Sequence, residues 1–262
     1  MHWFNGELSG DPTIALGIDD PALLYGATVF TTLRVYEKSL THPLTAWQAH
    51  CDRILHSLQT FHWPEPNWAQ VRQGAEALAK TYPVLRITVL PDGRELITGR
   101  FLPTDLMERQ NQGIAAWVAF SAYSRGLPGH KTGNYLPCVL ALQEAKRQGV
   151  SEAILQDAAG NWLETSTGTL WGWRDGVWWT PPLEAGILPG VVRSHLLSHL
   201  QSQGCPAIEI PWMPEQVQQF EGLAYSNCVV QIVPIHTVVD GRIRLEYNPD
   251  CEGLQQLRTY WA

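Results

Sequence analysis

Charge is scarce in this chain. Asp, Glu, Lys and Arg make up 16% of its 262 residues, where roughly 25% is usual. Bases are the scarcer sign: 18 Lys and Arg against 25 Asp and Glu give a net charge of −7, which excludes a broad cationic surface for nucleic acid. Cysteine is sparse as well, with five at positions 51, 138, 205, 228 and 251 and no Cys-x-x-Cys pair. An odd, scattered set excludes a disulfide framework, a redox dithiol and zinc-ribbon spacing, and a cytoplasmic protein with reduced thiols is expected. No apolar run reaches the roughly 18 residues of a membrane span, and Met1-His2-Trp3-Phe4-Asn5-Gly6 lacks the basic and apolar regions of a signal peptide. Gly-rich nucleotide loops and a GxSxG elbow are also missing, so neither a dinucleotide enzyme nor a serine hydrolase has support. There is no internal repeat and no low-complexity segment.

What is present begins with a hydrophobic fraction of 45%, enough for one large domain or two modest ones. Three Asp-Gly pairs, Asp92-Gly93, Asp175-Gly176 and Asp240-Gly241, lie between apolar stretches and predict tight hairpins, because these residues accept positive φ. Apolar residues three and four apart predict helices over Leu44 to Phe61, Leu136 to Gln148 and Val191 to Gln203, with Gly149 and Gly204 as stops. Trp68 to Lys80 and Glu252 to Trp261 read as helices too. Hairpins mixed with helices in this order indicate an α+β fold. The Ser-, Gly- and Pro-containing stretch 120–133 is the expected interdomain loop. It would separate a smaller N-terminal domain, 1–119, from a larger C-terminal domain, 134–262.

Lys131 stands at the end of that loop, in Gly129-His130-Lys131-Thr132-Gly133-Asn134-Tyr135. A partly desolvated lysine flanked by small residues is what a Schiff-base amine requires, although an exposed loop lysine has the same spacing. Three features surround it in the sequence. Glu164 ends a strand-like stretch. The loop Gly186-Ile187-Leu188-Pro189-Gly190 runs into a helix starting at Val191 and Val192, whose first amides suit a phosphate. Arg53, on the helix that carries His50, could supply a bidentate phosphate contact. An amine for an aldehyde, a carboxylate for a pyridine nitrogen and a phosphate cup are together the parts that hold pyridoxal phosphate.

Six ordered motifs carry a family resemblance. They are Tyr25-Gly26 with Phe30-Thr31-Thr32-Leu33-Arg34-Val35; His50 with Arg53; Lys131-Thr132-Gly133-Asn134; Leu163-Glu164-Thr165-Ser166; Leu188-Pro189-Gly190-Val191-Val192-Arg193; and Ser226-Asn227 ahead of Pro234-Ile235. Over nearly its whole length the chain resembles the class IV aminotransferases, the two-domain fold-type IV pyridoxal-phosphate enzymes, which include branched-chain and D-amino-acid aminotransferases and 4-amino-4-deoxychorismate lyase. The resemblance implies that Lys131 is the Schiff-base lysine, that Glu164 pairs with the pyridine nitrogen, and that Arg53, the amides of Val191 and Val192, and the Asn227–Cys228 segment hold the phosphate. It departs from the family at three places. Gly26-Ala27-Thr28 stands for a frequent Gly-Asp-Gly, Thr169 for a frequent Asn, and Cys228 for a Thr that touches phosphate, a thiol being a weak donor.

Thr31 separates two branches of the resemblance: aminotransferases of the group tend to carry glutamate there, and the lyase branch resembles Phe-Thr-Thr. The expected activity is therefore conversion of 4-amino-4-deoxychorismate to 4-aminobenzoate and pyruvate, in folate biosynthesis. The alternatives are an aminotransferase for D- or branched-chain amino acids, or a non-catalytic pyridoxal-phosphate-binding homologue. The lyase substrate carries two carboxylates, so donors should line its pocket. Thr32 and Arg125 are the substrate-side candidates, with Arg34 and Arg86 as alternatives to Arg125. The resemblance also implies a homodimer.

Two further features point to structure. His195 and His199 are four apart on one helix, a zinc-compatible spacing, but no acidic residue completes a metalloprotease motif and no metal is expected. Five of the twelve Trp, at 162, 171, 173, 178 and 179, cluster around and after Glu164. Their strand spacing reads as core packing of the sheet that carries the glutamate.

Overall fold

A computed structural model describes residues 1–262 and shows an α+β chain built as two compact units. The first comprises Met1–Pro103 and His130–Asn134; the second comprises Thr104–Gly129 and Tyr135–Ala262. The first unit thus ends sixteen residues before the expected boundary at 119, because the strand at Ile114–Val118 joins the larger sheet. His130–Asn134 belongs with the first unit.

In the first unit, β1 (His2–Phe4), β2 (Glu7–Ser9), β3 (Val29–Arg34), β4 (Val84–Val89) and β5 (Glu95–Arg100) form an antiparallel sheet in the order β2-β1-β5-β4-β3. The helices are α1 (Pro21–Tyr25), α2 (Trp47–Phe61) and α3 (Trp68–Ala79). Strand alternation sorts the side chains. Val29, Leu33, Leu85, Ile87, Val89 and Ile97 share a core with Ile54 and Leu58 of α2 and with Val71 and Leu78 of α3. Phe30, Thr32, Arg34 and Arg86 occupy the other face by the same alternation. The helix expected from Leu44 starts at Trp47, because Pro43–Thr45 forms a 3-10 turn and Ala46 takes φ 51°.

The second unit holds β6 (Ile114–Val118), β7 (Glu152–Gln156), β8 (Trp162–Thr165), β9 (Thr169–Arg174), β10 (Val177–Thr180), β11 (Ile208–Glu209), β12 (Gly222–Asn227), β13 (Gln231–Asp240) and β14 (Ile243–Glu246). Its helices are α4 (Leu106–Gln112), α5 (Leu136–Arg147), α6 (Val191–Ser202), α7 (Pro214–Val217) and α8 (Glu252–Arg258). The strands form one mixed sheet in the order β11-β10-β9-β12-β13-β6-β7-β8, with β14 also on β13. β8 ends that order, yet only Ser166, Thr167 and Gly168 separate it from β9, and Thr165 N donates to Gly168 O at 2.8 Å. The sheet therefore curls back on itself.

All three Asp-Gly pairs join antiparallel neighbours: β4 to β5, β9 to β10 and β13 to β14. At the middle one, Asp175 (φ 51°) and Gly176 (φ 77°) are both left-handed, the backbone of a two-residue hairpin turn. Trp178 faces Trp173 across that hairpin, with ring centroids 5.2 Å apart, and Trp171 lies edge-on to Trp178 at 6.5 Å. These rings pack with Val192, Leu196 and Leu200 of α6 and Leu254 and Leu257 of α8. Each buried indole contributes roughly 4–6 kcal/mol of transfer free energy. Trp179, on the other face, packs against Phe220. Trp162 packs separately, bridging to Trp212.

Gly74 of α3 offers a test of packing in the first unit. A Cβ at this position would lie 2.4 Å from Cγ of Trp3, and Trp3 is fixed by its indole N–H donating to Glu95 at 2.9 Å. Helix propensity favours alanine by about 1 kcal/mol, but overpacking costs about 1–3 kcal/mol. Gly74→Ala is expected to lower the urea midpoint; an unchanged or raised midpoint would show that the indole can yield.

Candidate functional site

Two groups of predicted residues lie in the first unit, and both are held by β3. Segment 130–134 runs beside the start of that strand: Phe30 N donates to Lys131 O at 2.8 Å, Gly133 N donates to Thr28 O at 2.7 Å, and Val29 bridges to Thr132. Gly133 has to be glycine, since a Cβ there would lie 2.1 Å from Thr28 Oγ1. This fixes the Lys131 backbone and sends its side chain over Phe30, with Nζ 4.8 Å from the ring centroid. The Arg86 guanidinium sits over the same ring at 3.5 Å. Two cations therefore lie against one aromatic ring, with Thr32 paired across from Arg86.

On the core side of β3, Thr31 is fully buried. Its hydroxyl accepts from Arg53 Nη2 at 2.7 Å and lies 2.6 Å from His50 Nδ1. Thr31, the residue that distinguishes the branches of the resemblance, thus orients the predicted phosphate-binding arginine. One turn after Arg53, Ser57 Oγ lies 3.0 Å from Nδ1 of His130, the residue before Lys131. Burial, with the nearby His56, holds the His130 imidazole below the usual histidine range.

In the second unit Glu164 is a buried carboxylate, 3% exposed, on β8. One of its oxygens meets Arg125 Nε at 3.0 Å and accepts from Leu188 N at 3.3 Å. The Arg125 guanidinium also lies 5.1 Å over the Tyr135 ring. Burial is the largest influence and opposes its charge, but Glu164, Tyr135 and Cys138 together hold the arginine pKa above its ordinary value. Arg125 was expected to meet a substrate carboxylate. The structure pairs its Nε with Glu164; of the alternatives, Arg86 lies over the same Phe30 ring as Lys131.

Leu188 belongs to the loop that enters α6. Gly190 is the N-cap of that helix and no side chain caps it, so the first-turn amides, including those of Val191 and Val192, depend on solvent or an anion. Their side chains point into the core. Arg193, next in the motif, is used structurally, donating to Pro181 O at 2.9 Å and to Glu209 at 2.5 Å. The Asn227 side chain is consumed by its own turn: Oδ1 accepts from Val229 N and Val230 N at 2.9 and 3.0 Å, and Nδ2 donates to Thr167 O at 3.2 Å. Cys228 is half-buried and packs against the Trp171–Leu196 core. His195 and His199 each engage the C-terminal segment, at 2.9 Å from Tyr260 Oη and Thr259 Oγ1.

The sequence reading assigned no role to Tyr135, whose hydroxyl donates to Ser166 O at 2.5 Å beneath the Arg125 cation, and it named His50 and Thr31 without pairing them. An aromatic directly after the lysine motif and a histidine one turn before Arg53 were the available signals.

The model of the family described as amino-transferase class IV matches residues 28–238. The branched-chain-amino-acid aminotransferase of Escherichia coli K12 is 25% identical over 264 residues, covering 90% of this chain and 84% of that protein. The aminodeoxychorismate lyase of Vibrio harveyi is 27% identical over 221 residues, covering 78% of this chain and 79% of that protein. Among solved structures, a hypothetical aminotransferase from Mycobacterium tuberculosis in its pyridoxal-phosphate-bound form is 22% identical with a TM-score of 0.83, covering 99% of this chain and 98% of that one. With the match spanning most of its length, the chain belongs to the class IV aminotransferase family.

Proposed function

We propose that the protein is a pyridoxal-phosphate-dependent lyase that converts 4-amino-4-deoxychorismate to 4-aminobenzoate and pyruvate. The cofactor is pyridoxal phosphate, the group bound by the similar Mycobacterium tuberculosis protein and consistent with the family. The residues present fit it. Lys131 offers an amine, Glu164 a buried carboxylate beside a fixed arginine, Arg53 an oriented guanidinium, and α6 an uncapped N-terminus.

The observation that carries the lyase reading is the pair of cations over Phe30. A branched-chain aminotransferase must accept an apolar side chain near its reactive lysine, and a guanidinium beside that lysine disfavours one. A substrate with two carboxylates is attracted by the same charge. The relative from Vibrio harveyi, named as this lyase, supports the same reading.

When bound, pyridoxal phosphate supplies an aldehyde for the substrate amine and a pyridine ring that accepts electrons. Lys131 Nζ would be the amine that holds that aldehyde and, when not so engaged, the base for the proton on the carbon bearing the substrate amine. The resulting ammonium returns a proton as the enolpyruvyl group departs as pyruvate and the ring becomes aromatic. Glu164 holds the proton of the pyridine nitrogen, and Arg125 keeps that carboxylate in place. Arg53, oriented by Thr31, would bind the phosphate, as would the amides of Val191 and Val192 and the backbone of the Asn227–Cys228 turn. Arg86 and Thr32 meet the substrate.

We further propose a cytoplasmic homodimer. All five cysteines are free. No helix is long and apolar enough to cross a membrane. α1 buries none of its residues, and Leu23, Leu24 and Tyr25 are exposed beside Ile18, which is 90% exposed. Such an apolar patch in the first unit suits a protein partner.

Incubation with 4-amino-4-deoxychorismate is expected to release pyruvate, followed by coupled reduction to lactate. Turnover of an amino acid that depends on a keto acid, without pyruvate, would make the protein an aminotransferase; neither activity would leave a cofactor-binding homologue. Lys131→Ala should lose the visible absorbance of lysine-bound cofactor, and a surviving band would show another lysine in that role. Arg86→Ala removes a charge-assisted contact of about 1.5–3 kcal/mol, so KM should rise at least tenfold with a smaller change in kcat; an unchanged KM places the carboxylates elsewhere. Light scattering should give twice the chain mass for the native protein and a shift toward the single chain for Leu24→Asp. A monomeric native protein would overturn the dimer.

A further inference from the structure

Glu152 opens β7, is 3% exposed, and has no place in the chemistry above. Its carboxylate accepts three hydrogen bonds. Oε1 takes Ala153 N at 2.9 Å and the Ser166 hydroxyl, and Oε2 takes the Thr167 hydroxyl at 2.5 Å. Ser166 and Thr167, with Gly168, are the whole connection between β8 and β9. The turn is closed from below by Ser166 N donating to Ala153 O at 2.8 Å. It is pressed from the side by β12, since a Cβ on Gly168 would lie 2.3 Å from Ser226 O.

A buried carboxylate is a costly way to secure a turn, because its desolvation is offset only by well-aimed donors. Its particular capacity is to grip two hydroxyls at once through two oxygens of fixed spacing, and so to set Ser166 relative to Thr167. Both neighbours lead to candidate cofactor contacts. Two residues before Ser166 is Glu164. The Thr167 carbonyl accepts from Asn227 Nδ2, and Asn227 Oδ1 in turn holds the amides of Val229 and Val230.

We infer that Glu152 is a positioning residue: through Ser166 and Thr167 it sets the spacing between Glu164 and the Asn227–Cys228 turn, and thereby the affinity for pyridoxal phosphate. The inference rests on the reading that those two segments hold the cofactor. Burial pushes the Glu152 pKa up against its hydroxyl and amide donors. A neutral glutamine therefore preserves the arrangement: its oxygen keeps Ala153 N and Ser166, and its amide donates to a rotated Thr167 hydroxyl.

The test titrates pyridoxal phosphate into apoprotein, following tryptophan fluorescence, alongside urea unfolding. Glu152→Ala should raise Kd by roughly tenfold or more and Glu152→Gln by less than about threefold, the size expected from losing against keeping buried hydrogen bonds. A folded Glu152→Ala with the native Kd overturns the inference, as does an equal loss of urea stability in both variants with Kd unmoved. Should Glu152→Ala fail to fold, Thr167→Val decides. It leaves the carboxylate with Ala153 and Ser166 and cuts the second grip; a several-fold rise in Kd is expected, and an unchanged Kd overturns the role. Native protein that shows no saturable binding overturns the cofactor reading and this role with it, whereas native binding with insensitive variants overturns this role alone.

Discussion

The chemistry proposed for the first unit depends on the short antiparallel pairing between β3 and segment 130–134. Two backbone hydrogen bonds, Phe30 N to Lys131 O and Gly133 N to Thr28 O, turn a loop lysine into a placed one. They also set consecutive residues of β3 to opposite tasks. Phe30 faces the lysine, and Thr31, reversed by strand alternation, faces the helix that carries Arg53. A register slip of one residue would exchange the two. Lys131 and Arg53, the proposed attachment amine and phosphate arginine, are thus fixed by one strand, and the core of Leu33, Leu85 and Ile87 keeps that strand in register.

The fold was largely legible because its signals are local. Asp175 and Gly176 both adopt left-handed backbone, the property on which the hairpin expectation rested. Apolar spacing located α2, α5 and α6 to within a few residues, and α2 starts late only because Pro43 enforces a tighter turn first. The start of the second unit was less legible. Nothing in 104–119 distinguishes a strand of the first sheet from one of the second, because β6 gains its neighbours β7 and β13 from far along the chain. Parallel pairing of that kind leaves no short-range signature.

The candidate site was legible at the level of residue types and much less so at the level of partners. Lys131, Arg53 and Glu164 stand out as motif residues, but the groups that orient them are generic: a threonine, a histidine, an arginine in a loop. Arg125 shows why. Its proximity to Lys131 in sequence suggested a substrate contact, whereas the ion pair that claims it is with Glu164, 39 residues later. Asn227 is a similar case. Its side chain looks like a donor for a ligand and is spent on its own turn.

The scarcity of charge gains meaning from where the interior charges lie. Glu95 and Glu164 are both buried carboxylates, 2% and 3% exposed. Glu95 is satisfied by neutral donors, Trp3 Nε1 and Gly6 N at 2.9 and 2.8 Å, and clamps the edge of the first sheet. Glu164 has a buried guanidinium as well as an amide. A buried ion pair stabilises a fold no better than well-packed apolar residues of the same volume, so stability alone does not account for that pairing. What the arginine does is hold the carboxylate in a fixed direction, with Oε1 meeting both Arg125 Nε and Leu188 N. An oriented carboxylate in a dry setting is what a protonated ring nitrogen requires, and a chain this poor in charge retains the pair where that chemistry is proposed.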